Sequence, residues 1–199
     1  MGSTWVLVAY RTPSAPSTAR VAAWRGMHGL GGLFLGPTVC LLPAALADAR
    51  QLEAIATRVR AAGGSFELLS VESFAEETET ALRARYNDAR DAEYAEIVER
   101  ADGLIEELER EGGRGKFTFA EVEENEADLA KLQRWLRRVR MRDLFGAGGR
   151  RQAVEAVDKA AVRLEAFTAE AIAREAGGIG DAAEANAVEG PRLKIVRDQ

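Results

Sequence analysis

The sequence predicts an α+β protein: a ferredoxin-like βαββαβ domain over residues 1–73, an antiparallel three-helix bundle over 74–177 and a flexible tail over 178–199. Three observations predict it. Short apolar runs alternate with amphipathic stretches up to Val71. From Phe74 to Gly178 there is no proline, and apolar residues recur at helical spacing. After Gly177 the residues are mostly small and polar, the composition of a mobile tail.

Each element follows in order. "TWVLVAY" (4–10) is apolar on both faces, as a strand in the middle of a sheet must be. Pro13 and Pro16 mark a loop, and Ser17 or Thr18 stands where it can cap the next helix. On that helix Val21, Trp24 and His28 fall at i, i+3 and i+7, which predicts its inner face; Gly29, Gly31 and Gly32 end it. "LFL" and "TVCLL" on either side of Gly36-Pro37 predict two short strands joined by a tight turn. A second helix runs from about Asp48 to Ala62 with Leu52, Ile55 and Val59 inward, Gly63-Gly64 stops it, and "SFELLSV" (65–71) supplies the fourth strand. The order is the split βαβ arrangement, with both helices on one face of an antiparallel sheet.

Three helical stripes follow: Tyr94, Ile97, Ala101, Leu104 and Leu108; then Leu129, Leu132, Leu136 and Val139; then Val154, Val157, Ala161 and Leu164. Glycine-rich breaks near Gly112-Gly113 and Gly146 separate them, and each stripe needs a partner, so the helices should fold back on one another. "RLKIV" (192–196) could add an edge strand.

With 199 residues, 47% of them hydrophobic and 30% charged, the chain suits a soluble globular protein that needs no staples. The lone Cys40 excludes an internal disulfide, and its apolar neighbours predict a buried thiol. The apolar run from Trp5 to Tyr10 is too short for a signal peptide or a membrane span, so no membrane contact and a cytoplasmic location are expected. The net charge of −5 is unevenly spread: residues 1–71 carry +3, 72–112 carry −9, 113–130 carry −3, 131–151 carry +7 and 152–199 carry −3. A basic block between acidic ones faces either a polyanion or its own neighbours.

The residue types narrow the chemistry. In a strand-loop-helix unit the first N–H groups of the helix are unpaired and attract anions. Arg11 at the strand end, Ser17 and Thr18 at the helix start and Arg20 in its first turn are therefore candidates for an oxyanion pocket. Alternatively, Ser17 only caps and Arg20 pairs with a carboxylate. Arg25 lies about 140° around the helix from Arg20 and should serve another surface. In "RWLRRVRMR" (134–142), Arg134, Arg137, Arg138, Arg140 and Arg142 cover a broad outer face, while Leu132, Trp135, Leu136 and Val139 cover the inner one. With Arg150 and Arg151 this is a candidate DNA-phosphate surface, or else a face laced to the acidic helix beside it.

The carboxylate-rich "NDARDAEYAEIVER" (87–100) and "EVEENE" (121–126) lack the Glu-x-x-His pairing of helical metal sites. Asp91 and Glu93 are expected to pair with arginines or to sit in water. His28 is the one histidine, so no histidine-based triad is in view and neither a metal, a cofactor nor enzymatic activity is expected.

Several motifs together carry a family resemblance: the strand running into Tyr10-Arg11-x-Pro13, Pro16-Ser17-x-x-Arg20, Trp24-Arg25, a hairpin closing on Leu42-Pro43, then "ARDAEYAEI" (89–97) and "EENEADLAKLQRWLRRVRMRDLFG" (123–146). They resemble the N-terminal region of the ChrB family of chromate-resistance proteins over residues 4–176. The resemblance implies a DNA-binding regulator of chromate efflux that responds to the oxyanion, and a ferredoxin-like domain similar to that of PaaX-type repressors and small CRISPR-associated nucleases. The nuclease relatives carry an acidic metal ligand at the end of the first strand. Tyr10-Arg11 stands there in this chain, which argues against metal-dependent cleavage. Full-length ChrB proteins carry a further C-terminal domain for which 199 residues leave no room, so sensing housed there is not expected here. The rival expectations are a homodimeric interaction module without DNA contact and a stand-alone oxyanion binder.

Overall fold

In the computed structural model, which describes residues 5–14 and 17–187 and the side chains of its last helix up to Glu175, the ten elements are β1 (Trp5–Arg11), α1 (Thr18–Gly29), β2 (Leu33–Gly36), β3 (Val39–Pro43), a 3₁₀ turn (Ala44–Leu46), α2 (Ala49–Ala61), β4 (Ser65–Val71), α3 (Glu76–Gly113), α4 (Phe119–Arg142) and α5 (Arg150–Ala187). Contacts group them into two compact units. One comprises residues 1–95 and 137–150, the other residues 96–136 and the chain from Arg151 onward. This grouping does not coincide with the sequence boundary at 73/74.

In the first unit the sheet runs β2-β3-β1-β4 with every neighbouring pair antiparallel, the ferredoxin-like order. β1 alternates between two cores. Val8 and Tyr10 face Met27, Leu52, Ala56, Val59 and Phe66 beneath α1 and α2. Trp5 faces the other way, with Leu33 and Leu41, onto Leu82 and Tyr86 of α3. The early part of α3 therefore closes the face of the sheet that the two crossover helices leave open, which is why it groups with the sheet. The Trp5 indole donates to Glu79 Oε2 at 3.0 Å and ties β1 to α3. Cys40 is fully buried in the first of these cores, and burial pushes its thiol up to about 12.

α2 follows its sequence pattern. Asp48 caps it by accepting from the Gln51 amide at 2.8 Å, and Leu52, Ile55 and Val59 are buried. α1 does not. Its buried residues are Ala23 and Met27, while Val21 and Trp24 are 39% and 47% exposed and His28 is exposed as well. The reason is a close approach. A Cβ added at Gly26 would lie 2.7 Å from Ile55 Cδ1, so α1 meets α2 with its small residues and turns its bulky stripe outward. Ser17 is in a helical conformation (φ −72°, ψ −7°), and its side chain makes no capping bond, contrary to the expected cap.

The second unit packs three helical segments. The predicted α3 stripe of Ile97, Ala101, Leu104 and Leu108 is buried as expected, and so are Leu132 and Leu136 of α4. On α5 the buried line is Ala153, Val157, Ala160, Leu164, Phe167 and Ala171, so Val154 and Ala161 lie at its margin and not on it. Thr118 caps α4 by accepting from the Glu121 amide at 3.3 Å, the first half of a Thr-x-x-Glu box. α5 continues beyond Gly177 to Ala187, past Gly178 and Gly180. "RLKIV" (192–196) lies outside the described residues. No helix among the described residues is long and apolar enough to cross a membrane.

One carboxyl in this unit titrates abnormally. Glu111 is buried and accepts from Asn125 Nδ2 at 3.3 Å; burial raises its pKa above the ordinary value, and a hydrogen bond shared with Glu121 raises it further. A raised folded-state pKa means that the fold favours the protonated form. Its contribution is full below the ordinary glutamate pKa, declines as pH rises through that value, and is lost above the folded pKa. Glu111→Gln keeps a donor toward Glu121 without a charge. It is expected to be more stable than the parent at pH 7 by about 1 kcal/mol and no more stable at pH 4. Urea unfolding at the two pH values checks this, and a variant weaker than the parent at both would refute it.

Candidate functional site

The polar residues that the sequence scatters along α3 and α4 form two layers in the first unit, one buried and one exposed. The buried layer is centred on Glu93. Arg142 Nη2 donates to Glu93 Oε2 at 2.6 Å, its Nη1 donates to the His28 carbonyl at 2.9 Å, and its Nε donates to the Arg138 carbonyl at 3.1 Å. Arg90, 3% exposed, brings Nη2 within 2.7 Å of Glu93 Oε1 and lies over the Tyr86 ring. That approach is off the hydrogen-bonding line: Glu93 Oε1 and Arg90 Nε and Nη1 are buried without a hydrogen-bond partner. Two guanidiniums thus share one carboxylate.

Asp143 continues the network on its own terms. Its Oδ1 accepts from the amides of Gly146 and Ala147, and its Oδ2 accepts from the Tyr94 hydroxyl at 3.0 Å. Burial and then the Asp143 charge push the Tyr94 phenol well above its ordinary range. Asp91 Oδ1 accepts from the Gly149 amide at 2.7 Å at the start of α5. Glu93 therefore pairs with arginines, as expected, whereas Asp91 holds a backbone amide.

This corrects the place of Arg142. The sequence put it on the outer face, but it is 8% exposed and its guanidinium is fully engaged inward. It lies nearest the apolar edge of the arginine arc, where a long side chain can turn in and meet Glu93.

The exposed layer is what remains. Arg137, Arg138 and Arg140 on the last turns of α4 and Arg150 at the start of α5 are exposed, and none has an ion-pair partner among the described residues. Arg134, one turn earlier on α4, is also exposed and unpaired among them. Arg151 reaches Glu155 at 3.4 Å on the surface of the second unit. The contrast with α3 decides how to regard this face. There, four of the five arginines, Arg83, Arg90, Arg100 and Arg110, have a carboxylate three or four residues away, and the fifth, Arg85, donates to the Phe34 carbonyl. Apart from Arg142, the α4 arginines are not laced to the acidic helix among the described residues.

Of the residues named for an oxyanion, Arg11 ends β1, Ser17 precedes α1, and Thr18 and Arg20 lie in its first turn. All four are exposed, and their side chains make no hydrogen bond or ion pair among the described residues. The structure does not draw the four into an enclosed pocket. Among the described residues no three His, Cys, Asp or Glu side chains converge as metal ligands. The second unit has an open groove of about 480 Å³ between α4 and α5, floored by Leu129, Ala130, Leu164 and Ile172, with Glu126 and Glu165 in its lining. Those carboxylates disfavour an anion there.

Sequence reasoning missed the Glu93 hub although a signal existed. On α3, Arg90 and Glu93 fall within the stripe that runs from Tyr86 to Ile97, positions that burial should reserve for apolar side chains. Charged residues on a buried stripe announce a paired network.

Fold and surface together define a class: a ferredoxin-like sheet domain, joined to further helices, that presents an exposed cationic helix end. The comparisons agree with a narrower assignment. A family model, Protein ChrB, N-terminal, matches residues 20–177, and the chain belongs to that family, as the motif resemblance implied. A curated relative, Protein ChrB of Cupriavidus metallidurans, is 34% identical over 92 residues, which is 46% of this chain. The match spans 28% of that protein's length. No solved structure matches.

Proposed function

We propose that the chain is a ChrB-type regulatory protein of chromate resistance that binds DNA through the exposed end of α4. Arg137, Arg138 and Arg140 contact phosphates on this reading, with Arg134, Arg150 and Arg151 assisting. The observation that carries it is that Arg134, Arg137, Arg138, Arg140 and Arg150 are exposed without an ion-pair partner among the described residues, whereas four of the five arginines of the acidic α3 have a carboxylate on their own helix. Cations held apart from abundant local partners are free to neutralise phosphates and release counterions. The role is one of binding, without a catalytic step, and it belongs in the cytoplasm.

The test is fluorescence anisotropy on labelled DNA from the gene's own upstream region, beside a scrambled duplex, at several salt concentrations. Binding with a slope of log K against log salt of about −3 to −5 is expected, since each phosphate contact adds about −0.9. No binding at low salt would sink the reading.

A narrower second reading concerns the oxyanion. Because Ser17 leaves the first turn of α1 without a side-chain cap, the amides there are open to an anion flanked by Arg11, Thr18 and Arg20. Chromate or sulfate should then raise the melting temperature of the parent and not that of Arg11→Ala or Arg20→Ala.

A further inference from the structure

Among the described residues no element covers the outward stripe of α1. Trp24 is 47% exposed, its ring 5.2 Å from His28 and 6.4 Å from Phe34 of β2, both at tilts near 30°. Val21 beside it is 39% exposed. At 100° per residue Arg20, Val21, Trp24, Arg25 and His28 share an arc of about 140°, so an arginine stands on each side of the indole. Arg20 and Arg25 are exposed and have no ion pair among the described residues, and Arg85 Nη2 donates to the Phe34 carbonyl at 3.3 Å. This is an aromatic shelf rimmed by guanidiniums.

Two further observations identify what it takes. Residues 1–47 contain no Asp or Glu, although the whole chain has 32 of them. The elements that form the shelf were thus kept free of negative charge, which suits a polyanion. The shelf also continues into the arginine surface: Arg142 joins the His28 carbonyl at the end of α1 to the last turn of α4, whose neighbouring arginines face out.

We infer that Trp24, with His28 and Phe34 behind it, is a stacking platform for a nucleobase exposed from its duplex, while Arg20 and Arg25 hold the phosphates on either side. The inference rests on the DNA reading and adds to it. Arginines on α4 supply affinity for any duplex, whereas the shelf supplies preference for DNA with unpaired bases. Every base offers a π-face, so the preference concerns base exposure and not sequence.

The experiment compares a labelled 20-mer duplex with the same duplex carrying a central three-nucleotide bubble, titrated with the full chain. The parent should bind the bubble about tenfold more tightly, the range expected of one stacked base. Trp24→Ala should lose that preference and keep the duplex affinity, while Trp24→Phe should keep both; Trp24 is surface-exposed, so thermal melts should show both variants folded. Equal bubble affinity in the parent and Trp24→Ala overturns the shelf and leaves the DNA reading standing. No binding of either probe by the parent overturns both. Binding of labelled poly-L-glutamate that Trp24→Ala weakens, with no bubble preference in the parent, assigns the shelf to an acidic polypeptide and overturns the inference.

Discussion

Glu93→Gln is expected to lower the unfolding free energy by about 3–5 kcal/mol, more than any other single polar substitution in the first unit. Arg90 and Arg142 are 3% and 8% exposed and have Glu93 as their shared carboxylate. Neutralising it leaves two guanidiniums buried side by side, with the desolvation of both uncompensated. Arg142→Met is the instructive comparison. It removes the bonds to Glu93 and to the His28 carbonyl but leaves Arg90 and Glu93 as a matched pair, so the cost should be smaller, about 2–3 kcal/mol. Urea unfolding of the two variants tests the order as well as the size. Since a domain of this kind has only about 5–15 kcal/mol in total, Glu93→Gln should be marginally folded at 37 °C. If it lost less than Arg142→Met, the shared-carboxylate account would be wrong.

Replacing Arg137, Arg138 and Arg140 together by alanine should cut DNA affinity about a hundredfold near 0.1 M salt and make the salt slope shallower by about 3. The loss should be the same for operator and scrambled duplex, because phosphate contacts position the protein and carry no sequence information. The three side chains are exposed and unpaired among the described residues, so the melting temperature should hold within a few degrees. Arg142 is deliberately left out of the set: its loss would weaken binding by loosening α4 and would mimic a contact. An unchanged salt slope in the triple variant would remove α4 from the interface.

Much of this was legible in the sequence, and the exceptions share a cause. The βαββαβ order, the Asp48 start of α2 and the buried faces of α2 and α3 follow from local rules: a period of two or of 3.6, a capping side chain, a glycine stop. The family motifs were legible for the same reason, being runs of neighbouring residues. The basic face of α4 was legible as a face. That Arg142 leaves it was not, because a guanidinium on a long flexible stem can serve either side of a helix, and the deciding partner stands 49 residues earlier in the chain.

α1 marks the boundary most clearly. Helical geometry needs nothing beyond the chain to set Val21, Trp24 and His28 on one side of α1 and Ala23, Gly26 and Met27 on the other. Which side faces in was decided by packing against α2, where Ile55 lies so close to Gly26 that only small side chains fit between the helices. Periodicity orders residues around an axis, but the space left between two axes chooses the face, and that space exists only once the tertiary structure has formed.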